Sequence, residues 1–495
     1  MPLTRRDFAT RFAVAGAGVA LTGSVGVLAT APGAIGQEVP ETDAPAPGSG
    51  ARGRAPGYGP LIDDPAGILA LPAGFSYRII TRTGVTKLES GESTPSHHDG
   101  TATFEGPRGT TLLVNNHELK GPRSKWPHPV PLADGLVYDP AAAGGCTVVE
   151  VSRDGGHVAE WVGIAGTSIN CAGGRTPWGT WLTCEETEDK AGQNGMTKDH
   201  GYVFEVDPQA PYDPHGPHDS HGPRAARAPR PVKALGRYAH EAVVVDPRRG
   251  HLYLTEDADR PNGLFYRWTP PHGFRHGRGR LRTLADDAGV LAAPRCYDSG
   301  GRFVDDLSRA TRTGTVYGVD WVEVPDRDAR TTPVRKQFHD GAVTRARKLE
   351  GMWWADGGAY LVSSYARAES PVRHDGQVWF YDPRRRTLTL KVLLGVNPQP
   401  GADGAFDGPD NITVSPYGGL IIAEDGEGVQ HLFGATDDGR TYPIARNDLN
   451  IGTAEAPEYS EFTGPVFAPD GRTLFANIQE PGIMLAIRGP WRRQG

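Results

Sequence analysis

Six residues able to bind a cation open six related stretches of this chain. Glu241 sits at the head of HEAVVVDPRRGHLYLTEDA (240–258), Asp410 leads DNITVSPYGGLIIAED and Cys171 leads CAGGRTPWGTWLTCEE. Each of these three frames places a proline at the same interval (Pro247, Pro416, Pro177) and closes on two acids: Glu256 and Asp257, Glu424 and Asp425, Glu185 and Glu186. Looser copies open on Glu350 (EGMWWADGGAYLVSSY), Glu461 (EFTGPVFAPDGRTLFANIQE) and Asp99 (DGTATFEGPRGTTLLVNNHE, ending on Glu118). Carboxylates crowded within a few ångströms cannot all ionise without cations, because like charges disfavour one another. Converging acids with one thiol therefore point to a metal centre. Lys348 stands two residues before Glu350, and strand alternation puts the two on one face.

The elements that must position these residues are hairpins. Between the opening residue and the closing acids, each frame reads as an apolar strand, a Pro/Gly turn and a return strand. Such hairpins are too short to bury a core alone, and their recurrence is the signature of a propeller, in which matching positions surround a central channel. The fold expected is all-β, a six-bladed β-propeller with an axial metal site. The 66 glycines and 43 prolines supply the punctuation that many short strands need.

The N-terminus carries a twin-arginine pattern, Thr4-Arg5-Arg6-Asp7-Phe8, followed by an Ala/Gly/Val-rich run from 12 to 31. Residues 1–36 are read as an export signal rather than a membrane anchor, 37–60 as a linker, and 61–495 as one propeller domain with a solvent-exposed insertion near 190–235. A periplasmic or extracellular location follows, with the twin-arginine machinery as a partner and no stable membrane association. A net charge of −7 and a pI near 6.2 argue against nucleic acid as a partner and suit cation sites. In an oxidising compartment, Cys146, Cys171, Cys184 and Cys296 could form two disulfides in three possible ways. Cys171 is either an inward ligand or a buried structural thiol, whereas Cys184, on the outgoing strand, reads as structural.

Together, the leader, VNNHE, NCAGGRTPWGTWLTCEE, GRYAHEA, LTEDADRPNGLFYRW, the LEG frame, DNITVSPYGGLIIAED and EFTGPVFAPDGRTLFANIQ resemble the PhoX-type alkaline phosphatases over roughly residues 60 to 490. The resemblance implies an exported six-bladed propeller that hydrolyses phosphate monoesters, small-molecule substrates, at an axial centre of Fe3+ and Ca2+. Carried over by position, it implies Cys171, Glu241, Glu350 and Asp410 for the iron part. It implies Glu118, Glu185, Glu186, Glu256 and Asp257 as nearby oxygen ligands, chiefly for calcium, and Lys348, Glu241 and Glu350 as catalytic. Two positions depart from the family pattern: Lys348 replaces an arginine that can grip phosphate through a two-pronged fork, and Glu480 replaces a frequent histidine. A calcium-dependent lactonase or esterase and a non-catalytic metal-binding propeller are the competing readings, and a monomer is expected.

Overall fold

Runs of alternating β-branched and aromatic residues broken by Gly and Pro become twenty-seven strands in the computed structural model, which describes residues 55–209, 229–367 and 370–494. The expected export signal, most of the linker and the His/Arg-rich part of the insertion lie outside the described residues. Among those described, the only helical segments are single 3-10 turns, and no helix is long and apolar enough to cross a membrane.

The strands form five antiparallel sheets in a propeller-like arrangement. Six first strands, one per frame, form its inside: His98–Glu105, Asn170–Arg175, His240–Val245, Leu349–Ala355, Pro409–Val414 and Phe462–Phe467. Each touches the next, and the last touches the first, so they close a cycle. Six separate sheets were expected. The number is five because Val316–Glu323 pairs with Val290–Tyr297 on one side and Thr387–Leu394 on the other, fusing the sheets of the 240 and 349 hairpins into one ten-stranded sheet.

Every first strand contains a register shift. It falls between His98 and Thr101, Asn170 and Gly173, His240 and Val243, Leu349 and Met352, Pro409 and Ile412, and Thr463 and Val466. Such bulges re-aim side chains and end regular pairing. Asp99, Cys171, Glu241, Glu350 and Asp410 all lie inside them. In the last hairpin, superposing Phe467↔Leu474 on Val245↔Leu252 puts Thr463 at Glu241's place, with Glu461 two residues earlier.

The residue after four of the five bulged ligand candidates is Gly or Ala (Gly100, Ala172, Ala242, Gly351), where strands crowd. A Cβ on Gly100 would stand 2.7 Å from Ala172 Cα and 2.8 Å from the Cys171 carbonyl oxygen. Apolar side chains pack in separate layers between the sheets, one of them around Tyr253, Phe265, Trp379 and Tyr381. Two N-terminal strands complete distant sheets: Leu69–Pro72 pairs with Thr441–Asn447, and Ser76–Arg82 with Ile483–Arg488. All four cysteines are buried and none is in a disulfide, so the pairings that an oxidising compartment would allow do not form.

Candidate metal centre

The bulges bring the frame-opening residues together in four overlapping groups, in each of which the ligand atoms lie within 4.8 Å of one another. The groups are Asp99–Glu118–Cys171, Cys171–Glu186–Glu241, Glu241–Glu350–Asp410 and Asp410–Asp425–Glu461. Consecutive groups share a member, so eight carboxylates and one thiol form a continuous chain of donors. The Cys171 thiol donates to Glu241 Oε1 at 3.2 Å.

Of the sequence-expected site residues, Glu118, Cys171, Glu186, Glu241, Glu350 and Asp410 are in these groups. Glu185, Glu256 and Asp257 are not. For Glu185 and Glu256 the reason is strand alternation: adjacent acids at the end of a return strand point to opposite sides. The second acid, Glu186 or Asp425, faces the donors, while the first turns back into the scaffold. Glu185 accepts from the backbone N–H groups of Ser168, Gly201 and Tyr202 and contacts His200 Nδ1 at 2.6 Å. Glu256 accepts from Tyr266 at 2.6 Å and pairs with Arg335 at 3.2 Å. Burial pushes its carboxyl up to about 7, against the lowering pull of Arg335 and Tyr266. Glu424 repeats the pattern, accepting from the Asp407 and His431 backbone N–H groups. Asp257 is half-buried and joins no group. Asp99, Asp425 and Glu461 are members that the positional carry-over did not name, although all three stand out in the frames, Asp99 and Glu461 by opening theirs.

His200 lies between Glu185 and Asp139, whose Oδ2 is 3.3 Å from Nε2. Burial alone would lower its pKa, but the charge and hydrogen bond of Glu185, joined by Asp139, raise it to about 9. An imidazole whose folded pKa exceeds its unfolded value of about 6.5 stabilises the fold fully below that value, and the contribution is lost as pH rises through the folded pKa. The melting temperature of the wild type should therefore fall between about pH 6.5 and 9 more steeply than that of His200→Gln, as measured by thermal unfolding at fixed ionic strength. Parallel profiles would show that His200 is neutral in the folded protein.

Lys348 reaches Glu350 by a different route from the one expected. It precedes the strand and has a left-handed backbone (φ 40°), a conformation shared by His97 (φ 52°) and Ile169 (φ 52°), each two residues before its own donor residue. This kink, rather than alternation, sets Lys348 Nζ 3.3 Å from Glu350 Oε1. At the matching place on the first hairpin, His97 Nε2 lies 3.1 Å from Glu480 Oε1. Next to it, Gln479 Nε2 donates to Glu118 Oε2 at 2.7 Å and to Asp99 Oδ2 at 3.3 Å. Hard oxygens with one soft sulfur are a donor set that fits bound metal ions.

A propeller-like array of sheets whose inner strands gather acids and a thiol defines a class of protein, the all-β propellers with a candidate metal site. The sequence profile of alkaline phosphatase PhoX matches residues 56–482. The chain belongs to the alkaline phosphatase PhoX family: it is a metal-dependent phosphatase, a hydrolase of phosphoric monoesters. Among solved structures it is similar to Pseudomonas fluorescens PhoX in complex with vanadate, a transition-state analogue, at 19% identity and a TM-score of 0.62, over 88% of this chain and 97% of that one. The PQQ domain of pyranose dehydrogenase from Coprinopsis cinerea is fainter, at 11% identity and a TM-score of 0.37, over 85% of this chain and 97% of the other. No curated protein matches the chain.

Proposed function

We propose that this phosphatase is exported by the twin-arginine route and works with six functional blades around an axial centre of Fe3+ and Ca2+, acting on small-molecule phosphate esters. The observation that carries this reading is the unbroken chain of donor groups from Asp99 to Glu461, with Cys171 as its only sulfur. Cys171, Glu241, Glu350 and Asp410 would hold iron, since a thiolate has use at an iron centre and none at a calcium-only one. Asp99, Glu118, Glu186, Asp425 and Glu461 would supply oxygens for calcium. When bound, the ions supply positive charge for the phosphoryl oxygens and make water more acidic.

The chain's own residues do the rest. Lys348, held against Glu350, presents an ammonium to an incoming phosphate oxygen from the rim of the donor chain. The buried carboxylates exclude a second anion unless the metal ions are present, so substrate binding depends on metal loading. Gln479 fixes Glu118 and Asp99 from the last hairpin, keeping two acids oriented where they cannot swing toward solvent.

The experiment is to purify the protein, measure iron and calcium, record a visible spectrum, and assay an aryl phosphate beside an aryl ester and a lactone. Both metals, a charge-transfer band and release of phosphate alone are expected. Calcium without iron, together with lactone turnover, would replace this reading with the lactonase one. Lys348→Arg should raise kcat/KM for aryl phosphate several-fold, because the guanidinium fork binds two phosphate oxygens where an ammonium binds as a point charge. An unchanged or lower value would remove Lys348 from phosphate binding.

A further inference from the structure

The bulges that aim the ring residues also pull backbone carbonyls out of the sheet ladder, and a buried carbonyl needs a donor. That donor comes from the neighbouring hairpin. Thr255, fully buried on the return strand Leu252–Glu256, donates through Oγ1 to the Glu350 carbonyl oxygen at 2.9 Å. Thr255 Oγ1 in turn accepts from the backbone N–H of Ala242, the residue after Glu241, at 3.0 Å. One hydroxyl thus ties the bulge of Glu241 to the bulge of Glu350, two acids of a single group.

Other hairpins repeat the device at the same place, one residue before the end of the return strand. Asn116 donates through Nδ2 to the carbonyls of Cys171 and Ala172, both at 2.8 Å, and Asn477 donates to the carbonyl of Asp99 at 2.8 Å. The orientation of Asn116 is settled by three donors to its Oδ1: Cys146 at 3.0 Å, Trp181 at 2.9 Å and Thr183 at 3.0 Å. In all three cases the side chain belongs to one hairpin and the carbonyl to the donor residue of the next, with the Ala172 carbonyl beside it in the case of Asn116.

We propose that Thr255 is a positioning residue for the phosphatase centre, fixing the offset between neighbouring inner strands and through it the separation of Glu241 and Glu350, with Asn116 and Asn477 as its counterparts for Cys171 and Asp99. The hydroxyl and amides touch no substrate. They act on backbone, so their effect appears as a change in the spacing of the donors, on which metal affinity depends. The proposal rests on the reading of the donor chain as the metal-holding site.

Thr255→Val keeps shape and volume but removes the hydroxyl, while Thr255→Ser keeps the hydroxyl. The full-length protein is stripped with a chelator, titrated with iron while its visible spectrum is followed, and assayed for kcat and KM. Thr255→Val should weaken iron affinity about ten- to a hundredfold, shift the visible band and lower kcat more than it raises KM, and Thr255→Ser should restore all three. Wild-type affinity, band and kcat in Thr255→Val would overturn the proposal, as would equal damage from Val and Ser, which would mark a packing role. Should Thr255→Val not accumulate as folded protein, Thr255→Ala removes the same hydroxyl with less volume and carries the same test. Glu241→Ala, titrated in parallel, separates the two ideas: wild-type metal affinity there removes the reading of the site itself, whereas loss there with an intact Thr255→Val removes only the role of Thr255.

Discussion

Glu241→Ala and Cys171→Ser should each yield folded protein that has lost its iron and released at least about a hundredfold less phosphate per enzyme. Glu241 belongs to two of the four donor groups and accepts the Cys171 thiol hydrogen bond at 3.2 Å. Removing its carboxylate takes a donor from the middle of the chain rather than from an end. Serine at 171 keeps the size of cysteine but offers an alcohol in place of a thiolate, which disfavours a borderline-soft ion far more than calcium. Metal analysis and the visible spectrum should then diverge between the variants: Cys171→Ser loses the band and keeps calcium, while Glu241→Ala loses iron and weakens calcium. Iron retained in both would dissolve the idea that the frame-opening residues act together.

The second large effect comes from a residue with no side chain. Gly100→Ala must place a methyl 2.7 Å from Ala172 Cα and 2.8 Å from the Cys171 carbonyl oxygen, closer than real Cβ atoms come to backbone. Neither neighbour can rotate away, since both are main chain in the next inner strand. That strand has to move, at a cost of about 1–3 kcal/mol for an overpacked site, and it carries Cys171 with it. The expected result is a lower denaturant midpoint together with weaker iron binding. Gly318→Ala is the control: its Cβ would meet nothing nearer than the Tyr297 carbonyl oxygen at 4.0 Å, so stability should change by less than about 0.5 kcal/mol. Equal effects from the two would show that the inner strands are free to separate.

Much of this centre was legible because hairpins repeat. Aligning frames on Pro177, Pro247 and Pro416 singles out Cys171, Glu241 and Asp410, and the structure gathers them in connected groups. The paired acids call for one further step: alternation along the return strand separates Glu186 from Glu185 and Asp425 from Glu424, and the sequence offers it to anyone who counts by twos. Glu461 is subtler. Its place two residues before Thr463 depends on a bulge shifted by one position, which no residue type announces. Nor could the fused ten-stranded sheet be read, because the segment from 270 to 345 carries charge without periodic motif, and its edge pairing is decided by contacts between residues far apart in sequence. Lys348 met Glu350 as expected, but through a left-handed kink rather than a shared strand face.

The pairing of Ser76–Arg82 with Ile483–Arg488 has a consequence for how the protein comes into being. A ribosome delivers the first of these strands early and the second almost last, so the early strand spends nearly all of synthesis beside a partner that does not yet exist. The cycle of inner strands shares that delay, since Phe462–Phe467 must arrive before it can touch His98–Glu105. Asp99 and Glu461, far apart in order of emergence, enter a common donor chain only late in translation. Loading with ions is then a property of a nearly finished polypeptide, and a nascent chain halted before Ile483 would carry every donor while leaving Ser76–Arg82 without its partner strand.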